Sequence, residues 1–186
     1  MAYRNGTYVA FHANGTNIPG GNSDIDYYNL LKAWSSKTDD DFTMCNSHEK
    51  TAAVRDTSSS ERLMEVLRDR LKNSKNMILI IGTTTKLDDD WVPFEISQAV
   101  DKFKIPIIAT YTNISTPIKN PSVYKARWPA ALATRINNET ASVIHIPYKK
   151  TVLLDAIGQF SHNKLPKGKG LGFYNDDAYR SFGIVG

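Results

Sequence analysis

The hydrophobic positions of the chain fall into two patterns, one typical of buried strands and the other typical of amphipathic helices. Short apolar or β-branched runs predict five strands, at residues 7–11, 41–46, 76–82, 105–111 and 142–148. The run NMILIIG at 76–82 is apolar almost throughout, as expected for a strand that is covered on both faces of its sheet.

Apolar residues at three- and four-residue spacing predict the helices that separate these strands. The clearest stripe is formed by Leu63, Leu67 and Leu71, within a helix over residues 60–73. The other predicted helices cover 24–37, 92–103, 120–137 with an interruption at Pro129, and 150–160. The predicted buried face of the 92–103 helix consists of Val92, Ile96, Ala99, Val100 and Phe103.

The alternation of strands with helices predicts an α/β domain with a mostly parallel central sheet and helices on both faces. We expect the strands near 7–12, 76–82 and 105–111 to be neighbours in that sheet. Ligands of such sheets bind at the carboxyl ends of the strands. The loops that follow the predicted strands there are 12–23, 46–59, 83–90 and 112–119.

Composition and charge narrow the class of protein. The 186 residues are 41% hydrophobic and carry a net charge of +4, which fits one globular domain. Lys and Arg are dispersed along the chain, so no nucleic-acid footprint is indicated. A single cysteine, Cys45, excludes an internal disulfide and fits a reducing compartment. The longest strongly apolar run, 77–81, is too short to span a bilayer, and no secretory signal is apparent. We therefore expect a cytoplasmic protein.

Several motifs of known chemistry are missing from the chain. There is no G-x-x-x-x-G-K-[ST] phosphate loop, no H-E-x-x-H, no paired cysteines and no G-x-S-x-G, so we expect no bound metal and no serine nucleophile of that type. The glycine-rich stretch GKGLG at 168–172 follows no predicted strand and is interpreted as part of a flexible tail.

Trp91 and Glu95 form the most suggestive pair in the chain. Their four-residue spacing brings side chains together on a helix, and both fall outside the predicted buried face. A helix N-terminus favours an ionised carboxylate. Such a carboxylate can bind ribose hydroxyls or stabilise positive charge on a sugar carbon as a glycosidic bond breaks, while an indole can stack on a flat ring. We expect Glu95→Gln to leave the fold nearly unchanged.

On chemistry alone, an ordinary helix start remains the alternative interpretation of this pair, with a glutamate at the helix terminus and a tryptophan covering the edge of the core. A wider resemblance favours the first interpretation. The stretch D-W-V-x-x-E-I-x-x-A, from Asp90 to Ala99, resembles the third-helix motif of TIR domains. The stretches YVAFHANG at 8–15, LRDRLKNSKNMILIIGTTT at 67–85 and IPII at 105–108 also resemble TIR elements, in the expected order.

Over residues 5–160 the chain is most similar to the bacterial TIR-like proteins of Thoeris antiphage systems, most clearly at 55–112. The resemblance implies a flavodoxin-like TIR fold over residues 1–164, with 165–186 as a Gly/Lys-rich extension that packs on or trails from that domain. It also implies NAD as a substrate rather than a cofactor, release of nicotinamide, and an ADP-ribose-derived signal, cyclic or conjugated, that activates a partner effector in antiviral defence.

The resemblance also implies roles for individual residues. Glu95 would be the catalytic carboxylate and Trp91 a stacking residue. The remaining nucleotide-binding residues would be Phe11, His12, Ala13 and Asn14 after the first strand, Thr83 and Thr84 after the third, and His48 and Asp56 on a loop that closes over the nucleotide. For His12, His48 and Asp56, a purely structural or solvated role is the alternative.

Two other functional classes are compatible with an α/β domain of this kind. A non-catalytic TIR scaffold would act through TIR–TIR self-association, but such scaffolds often lack a glutamate at the position of Glu95. A nucleoside deoxyribosyltransferase-like enzyme also uses a carboxylate on an α/β sheet, but the base-recognition carboxylates of that family are not found in this chain.

Overall fold

Five parallel strands form one sheet in the order β2-β1-β3-β4-β5 in the computed structural model, which describes residues 4–13, 24–36, 42–45 and 60–184. The strands are β1 Gly6–Ala10, β2 Thr43–Cys45, β3 Ser74–Ile81, β4 Ile107–Tyr111 and β5 Val143–Pro147. The prediction that the first, third and fourth strands are neighbours is confirmed, as is the parallel α/β class of a flavodoxin-like fold.

In the described residues, helices lie between successive strands, as the apolar spacing predicted, and two more follow the last strand, the second of which was not predicted. They are α1 Ile25–Ser35, α2 Ser60–Lys72, α3 Trp91–Ser97, α4 Ala130–Asn137, α5 Lys150–Gln159 and α6 Asp176–Ser181. A π-helical turn, Gln98–Lys102, continues α3, and 3₁₀ turns cover Thr85–Leu87, Pro121–Arg127 and Lys169–Leu171. None of the helices in the described ranges has the length and apolar composition to cross a membrane.

Proline decides two of the element boundaries. The predicted fourth strand began at residue 105, but β4 begins at Ile107, because Pro106 has no N–H to donate to a strand ladder. Its carbonyl is still used, since Met77 N donates to Pro106 O at 3.0 Å. Pro129 stands between the Pro121–Arg127 turn and α4, which confirms the predicted interruption.

The sheet carries a hydrophobic layer on each face. Tyr8 and Ala10 of β1 belong to one layer, and Val9 and Phe11 belong to the other, as the two-residue alternation of a strand requires. The first, here called the α2–α3 layer, includes Leu63, Leu67, Leu71, Val92, Ile96, Leu132 and Ile136. The second, the α1–α5 layer, includes Ile25, Tyr28, Leu31, Val152, Leu153, Ile157 and Tyr179.

The chain after residue 165 packs against the β5 edge of the sheet. Gly172 forms a parallel bridge to Ile144: His145 N donates to Gly172 O at 2.9 Å, and Gly172 N donates to Val143 O at 3.1 Å. Tyr179 of α6 is 1% exposed within the α1–α5 layer. The interpretation of GKGLG as a flexible stretch is therefore wrong, because its backbone supplies the partners that an edge strand lacks.

A buried chain of hydrogen-bonded polar groups also connects this segment to the sheet. Trp128 Nε1 donates to Tyr111 Oη at 2.6 Å, and Tyr111 Oη lies 2.8 Å from His145 Nδ1. His145 Nε2 lies 2.9 Å from Gly170 O. Since a carbonyl only accepts, Nε2 carries the proton and Nδ1 accepts from Tyr111. Burial lowers the pKa of His145 to about 4, so the ring stays neutral at neutral pH.

Candidate active site

The carboxyl ends of β1 and β3 define the place where the direction of strand order reverses. From β1, the chain passes to β2 on one side, and β3 lies on the other side. The two strands run in register, with Ala10 beside Leu79, so the segments that follow them meet at one edge. In open α/β sheets, this is where ligands bind. We call it the β1–β3 switch.

A buried clasp of three residues joins the two loops of the switch. Thr85 Oγ1 donates to Asp24 Oδ2 at 2.7 Å and accepts from Gly82 N at 2.7 Å. Asp24 N donates to His12 O at 3.1 Å. Asp24 is 4% exposed and Thr85 is fully buried, and burial raises the pKa of the Asp24 carboxyl above its usual value, against the hydrogen bond from Thr85.

The clasp was not anticipated from the sequence. Asp24 looks like the first residue of a helix and Thr85 like a loop residue, and their 61-residue separation hides the contact from any local pattern. Gly82 was the residue that could have indicated the contact. In the structure, a Cβ at this position would lie 1.9 Å from Asp24 Oδ1. A glycine directly after a buried strand often marks such a close approach.

His12 and Thr84 lie against each other at the mouth of the switch. His12 Nδ1 and Thr84 Oγ1 are 3.3 Å apart, and both residues are half-buried. Thr83 is exposed beside them, and Ala13 is half-buried against the α1–α5 layer. The structure thus brings these four predicted nucleotide-binding residues to the same edge. Their contacts with a nucleotide stay a prediction.

Glu95 lies under the switch, in the core. It is 5% exposed, and one of its carboxyl oxygens accepts a hydrogen bond from the hydroxyl of Tyr8. The prediction that Glu95 lies outside the buried face of its helix is wrong. The residue follows Val92 by three positions and precedes Ala99 by four, and these spacings place all three on one face. From the sequence, only apolar residues were assigned to the buried face, and the burial of Glu95 was therefore missed.

Burial also reverses the predicted ionisation of Glu95. Removal from water raises the pKa of the carboxyl to about 8, against the hydrogen bond from Tyr8. The nearby Asp88 carboxylate raises the pKa further, and the Arg70 guanidinium lowers it. A helix of seven residues offers a modest terminal field, and the loss of hydration outweighs it. At neutral pH about one tenth of the carboxyl is ionised.

Tyr8 remains a hydrogen-bond donor at any ordinary pH. It is fully buried in the α2–α3 layer, and burial, with a smaller effect of Glu95, raises the pKa of its phenol well above the usual value. Tyr8 stands two positions before Ala10, the last residue of β1, a rise of about 7 Å along a strand. Glu95 is therefore bonded to the strand that leads into the switch, near the carboxyl end of that strand.

Trp91 is the first residue of α3. Asp88 Oδ1 accepts from Val92 N at 3.1 Å and from Asp90 N at 3.1 Å, so Asp88 supplies the cap. Trp91 is half-buried and packs against the α2–α3 layer. Part of its indole is thus committed to the core and part reaches the surface, which leaves its predicted stacking role open to test.

Phe11 faces away from Glu95. It is 7% exposed in the α1–α5 layer and stacks on Tyr28, with ring centroids 4.5 Å apart. The structure therefore does not bring Phe11 together with Glu95, and its predicted contact with a nucleotide stays a prediction. Three further predicted site residues, Asn14, His48 and Asp56, lie outside the described residues.

A small cavity of about 90 Å³ opens elsewhere, among Val100, Lys104, Ile105, Thr140, Ser142 and Leu165. Ile105 lies two residues before β4 and Ser142 one residue before β5, so the cavity lies at the amino ends of the strands, away from the switch. Within the part of the chain that the structure describes, no three His, Cys, Asp or Glu residues gather as a metal site.

Part of the chain matches a known protein family. Residues 8–117 fit the family model described as the TIR-like domain of the Thoeris protein ThsB. The match covers more than half of the chain and spans the whole candidate site, from Tyr8 through the Asp24–Thr85 clasp to Glu95.

Proposed function

The chain belongs to the family of the TIR-like domain of the Thoeris protein ThsB, and we propose that it cleaves NAD to make an ADP-ribose-derived signal. Membership of this family supports a role in antiphage defence. The observation that carries the proposal is the Glu95 carboxyl, which is buried and bonded to Tyr8, two residues before the carboxyl end of β1 at the β1–β3 switch. A carboxyl in that position can act on the ribose of a nucleotide bound at the switch.

The proposed reaction breaks the bond between ribose C1′ and the nicotinamide nitrogen. The bonding electron pair leaves with nicotinamide, which departs as a neutral molecule, and positive charge develops on C1′. The Glu95 carboxylate stabilises that charge. A nucleophile then bonds to C1′ and gives up its proton. Water would yield ADP-ribose, a group within the substrate would yield a cyclic product, and another molecule would yield a conjugate that serves as the signal for the effector.

Substrate binding would supply the ionised carboxylate. Glu95 is mostly neutral in the unliganded protein because its pKa is raised to about 8. The nicotinamide ring of NAD carries a positive charge, and an adjacent positive charge favours the ionised form of a carboxyl. Binding of NAD and ionisation of Glu95 are therefore coupled in this proposal, and the resting protein holds little of the reactive form.

The other switch residues would bind the rest of the nucleotide. His12 and Thr84, 3.3 Å apart, offer polar groups to ribose hydroxyls or phosphates, and Trp91 offers the exposed part of its indole for stacking. The Asp24–Thr85–Gly82 clasp would hold the two loops at a fixed separation while the nucleotide binds. The backbone contact from Asp24 N to His12 O connects that clasp directly to His12.

The first prediction tests Glu95 in this reaction. Glu95→Gln keeps the shape and removes the charge, so the rate of nicotinamide release should fall by about 10²-fold or more. Release is measured by mass spectrometry or chromatography, under conditions in which the parent protein is active. Glu65→Gln on the exposed side of α2 makes the same chemical change away from the site and should leave the rate unchanged.

The burial of Glu95 also favours a second candidate, a non-catalytic scaffold that acts by self-association. A carboxyl that serves only the core would need no access to a substrate. In that case Glu95→Gln would retain self-association, measured by light scattering, and neither parent nor variant would consume NAD in phage-infected cells. Nicotinamide release at parental rates by a folded Glu95→Gln protein would contradict the proposed mechanism.

A further inference from the structure

Glu95 is held by a small set of groups that come from three different elements. Tyr8 of β1 donates a hydrogen bond to the carboxyl. Arg70 of α2 and Asp88, in the segment before α3, act on the carboxyl through their charges, in opposite directions. Two other cations near the 91–102 segment are engaged elsewhere, since Arg68 lies 5.3 Å over the Phe94 ring and Arg135 pairs with Asp101.

The contact from Tyr8 differs from the other two in kind. Charges act from a distance and do not orient a carboxyl, whereas a hydrogen bond fixes the position of one oxygen. Tyr8 is itself immobilised, because it is fully buried and lies between Cys45 and Met77 in the register of the sheet. The hydroxyl is thus presented from a strand that is paired on both sides.

Arg70 completes the environment of this pair. Its Nη1 is buried and has no hydrogen-bond partner, although its charge lowers the pKa of both Tyr8 and Glu95. Arg70 is half-buried, and a buried N–H without a partner is costly. Its positive charge favours the ionised form of Glu95, although burial has the larger and opposite effect on the pKa of the carboxyl.

We propose that Tyr8 is a positioning residue for the proposed reaction: its buried hydroxyl holds the Glu95 carboxyl beneath the switch and donates the hydrogen bond that supports the carboxylate while charge develops on the ribose. This inference rests on the proposed function. Tyr8 does not touch the substrate, because it is fully buried within the sheet layer. It acts through Glu95 alone.

The second prediction concerns Tyr8→Phe. Without the hydrogen bond, the carboxylate loses stabilisation, so the pKa of Glu95 should rise by about one unit or more. The ascending limb of the pH profile of kcat/KM, which reports the free enzyme, should move upward by the same amount. The value of kcat/KM at neutral pH should fall about tenfold, and this loss acts through Glu95, because Tyr8 itself makes no contact with the nucleotide.

The control is Tyr111→Phe, which removes another fully buried and hydrogen-bonded hydroxyl, whose partners are Trp128 and His145 rather than Glu95. Its loss of stability should be similar in size, but its pH profile should match that of the parent. A merely structural role for Tyr8 would make the two variants alike. Higher activity in Tyr8→Phe would also overturn the inference, because the hydrogen bond would then restrain Glu95 instead of supporting it.

A direct titration separates this inference from the proposed function. Protein labelled with ¹³C at the glutamate side-chain carboxyl is titrated by NMR, and Glu95→Gln identifies the Glu95 signal. An upward shift of that pKa in Tyr8→Phe, together with the displaced rate profile, supports the inference. An unchanged pKa in Tyr8→Phe overturns it even if Glu95→Gln is inactive. Unchanged nicotinamide release in Glu95→Gln overturns the proposed function instead, whatever the titration shows.

Discussion

At the scale of single residues, burial shifts the pKa values of two titratable side chains in opposite directions. It raises the pKa of Glu95 to about 8 and lowers the pKa of His145 to about 4. Both are held in the neutral form, but neutral means protonated for a carboxyl and deprotonated for an imidazole. Acidification therefore favours the native environment of Glu95 and opposes that of His145.

The third prediction follows for the stability of the parent and of Glu95→Gln. The raised pKa of Glu95 contributes stability that is complete below the unfolded value, near 4.5, and is lost as the pH rises through about 8. The cost at the upper end is on the order of a few kcal/mol. Because Gln cannot ionise, Glu95→Gln should become more stable relative to the parent as the pH rises across this range.

Urea unfolding at pH values of about 5, 6.5 and 8 measures this difference in the free energy of unfolding. The exposed control Glu65→Gln should show no such trend, because its carboxyl is solvated in both states. A pH-independent difference between Glu95→Gln and the parent would contradict the raised pKa of the buried Glu95 carboxyl. The expectation, drawn from the sequence, that this substitution would hardly affect the fold rested on an exposed Glu95, whereas the residue is buried.

At the scale of elements, the switch depends on how closely the end of β3 approaches the start of α1. Gly82 permits that approach, since any side chain there would occupy the position of the Asp24 carboxyl. The carboxyl has little freedom to move aside, because it is buried and bonded to Thr85 at 2.7 Å. The absence of a side chain at Gly82 therefore determines how closely the end of β3 and the start of α1 can approach each other.

The fourth prediction is that Gly82→Ala destabilises the protein by about 2 kcal/mol or more. The added Cβ would lie 1.9 Å from Asp24 Oδ1, so the clasp must open. Gly158→Ala in α5 is the matched control: nothing lies within 4 Å of its Cβ position, and alanine should raise stability by up to about 1 kcal/mol. Thermal unfolding of both variants measures the contrast, and equal effects would refute it.

Most helices were predictable because each packs one face against the sheet, so that its apolar residues recur at the helical spacing. Leu63, Leu67 and Leu71 illustrate this, and all three are buried. The burial of Glu95 was not predictable in this way. Its position has the helical spacing of a core residue, but a charged residue is ordinarily expected to be exposed. The Asp24–Thr85 contact was hidden because it joins distant segments. The resemblance to TIR domains led to the switch, but it could not show that Tyr8 holds Glu95.

At the scale of the whole molecule, the switch and the β5 edge are separate constructions on one sheet. The switch is built from residues within the matched segment 8–117. The far edge is completed by Gly172 beside Ile144 and by the Trp128–Tyr111–His145–Gly170 chain. Residues 165–184 are therefore part of the domain's support, although they contribute no side chain to the candidate site.

The fifth prediction is that removal of residues 165–186 strongly lowers the melting temperature and promotes aggregation. Truncation exposes the β5 edge to other chains, uncovers the layer that holds Tyr179, and leaves His145 Nε2 without its acceptor. Lys169→Ala is the control, because the Lys169–Glu139 pair is exposed and such pairs contribute about 1 kcal/mol at most. A truncated protein that melts like the parent would show that the segment is dispensable.

The three tryptophans differ in burial and in position, so tryptophan fluorescence can be used to follow ligand binding. Trp128 is 8% exposed and hydrogen-bonded to Tyr111, so its indole is insulated from solvent. Trp34 lies 5.6 Å from the Tyr148 ring, on the opposite face of the sheet from Trp91, which is half-buried at the start of α3. Of these three chromophores, only Trp91 is proposed to contact a nucleotide at the switch. In a Trp34→Phe background, quenching of the longer-wavelength emission would therefore report occupancy of the switch without a label and without turnover.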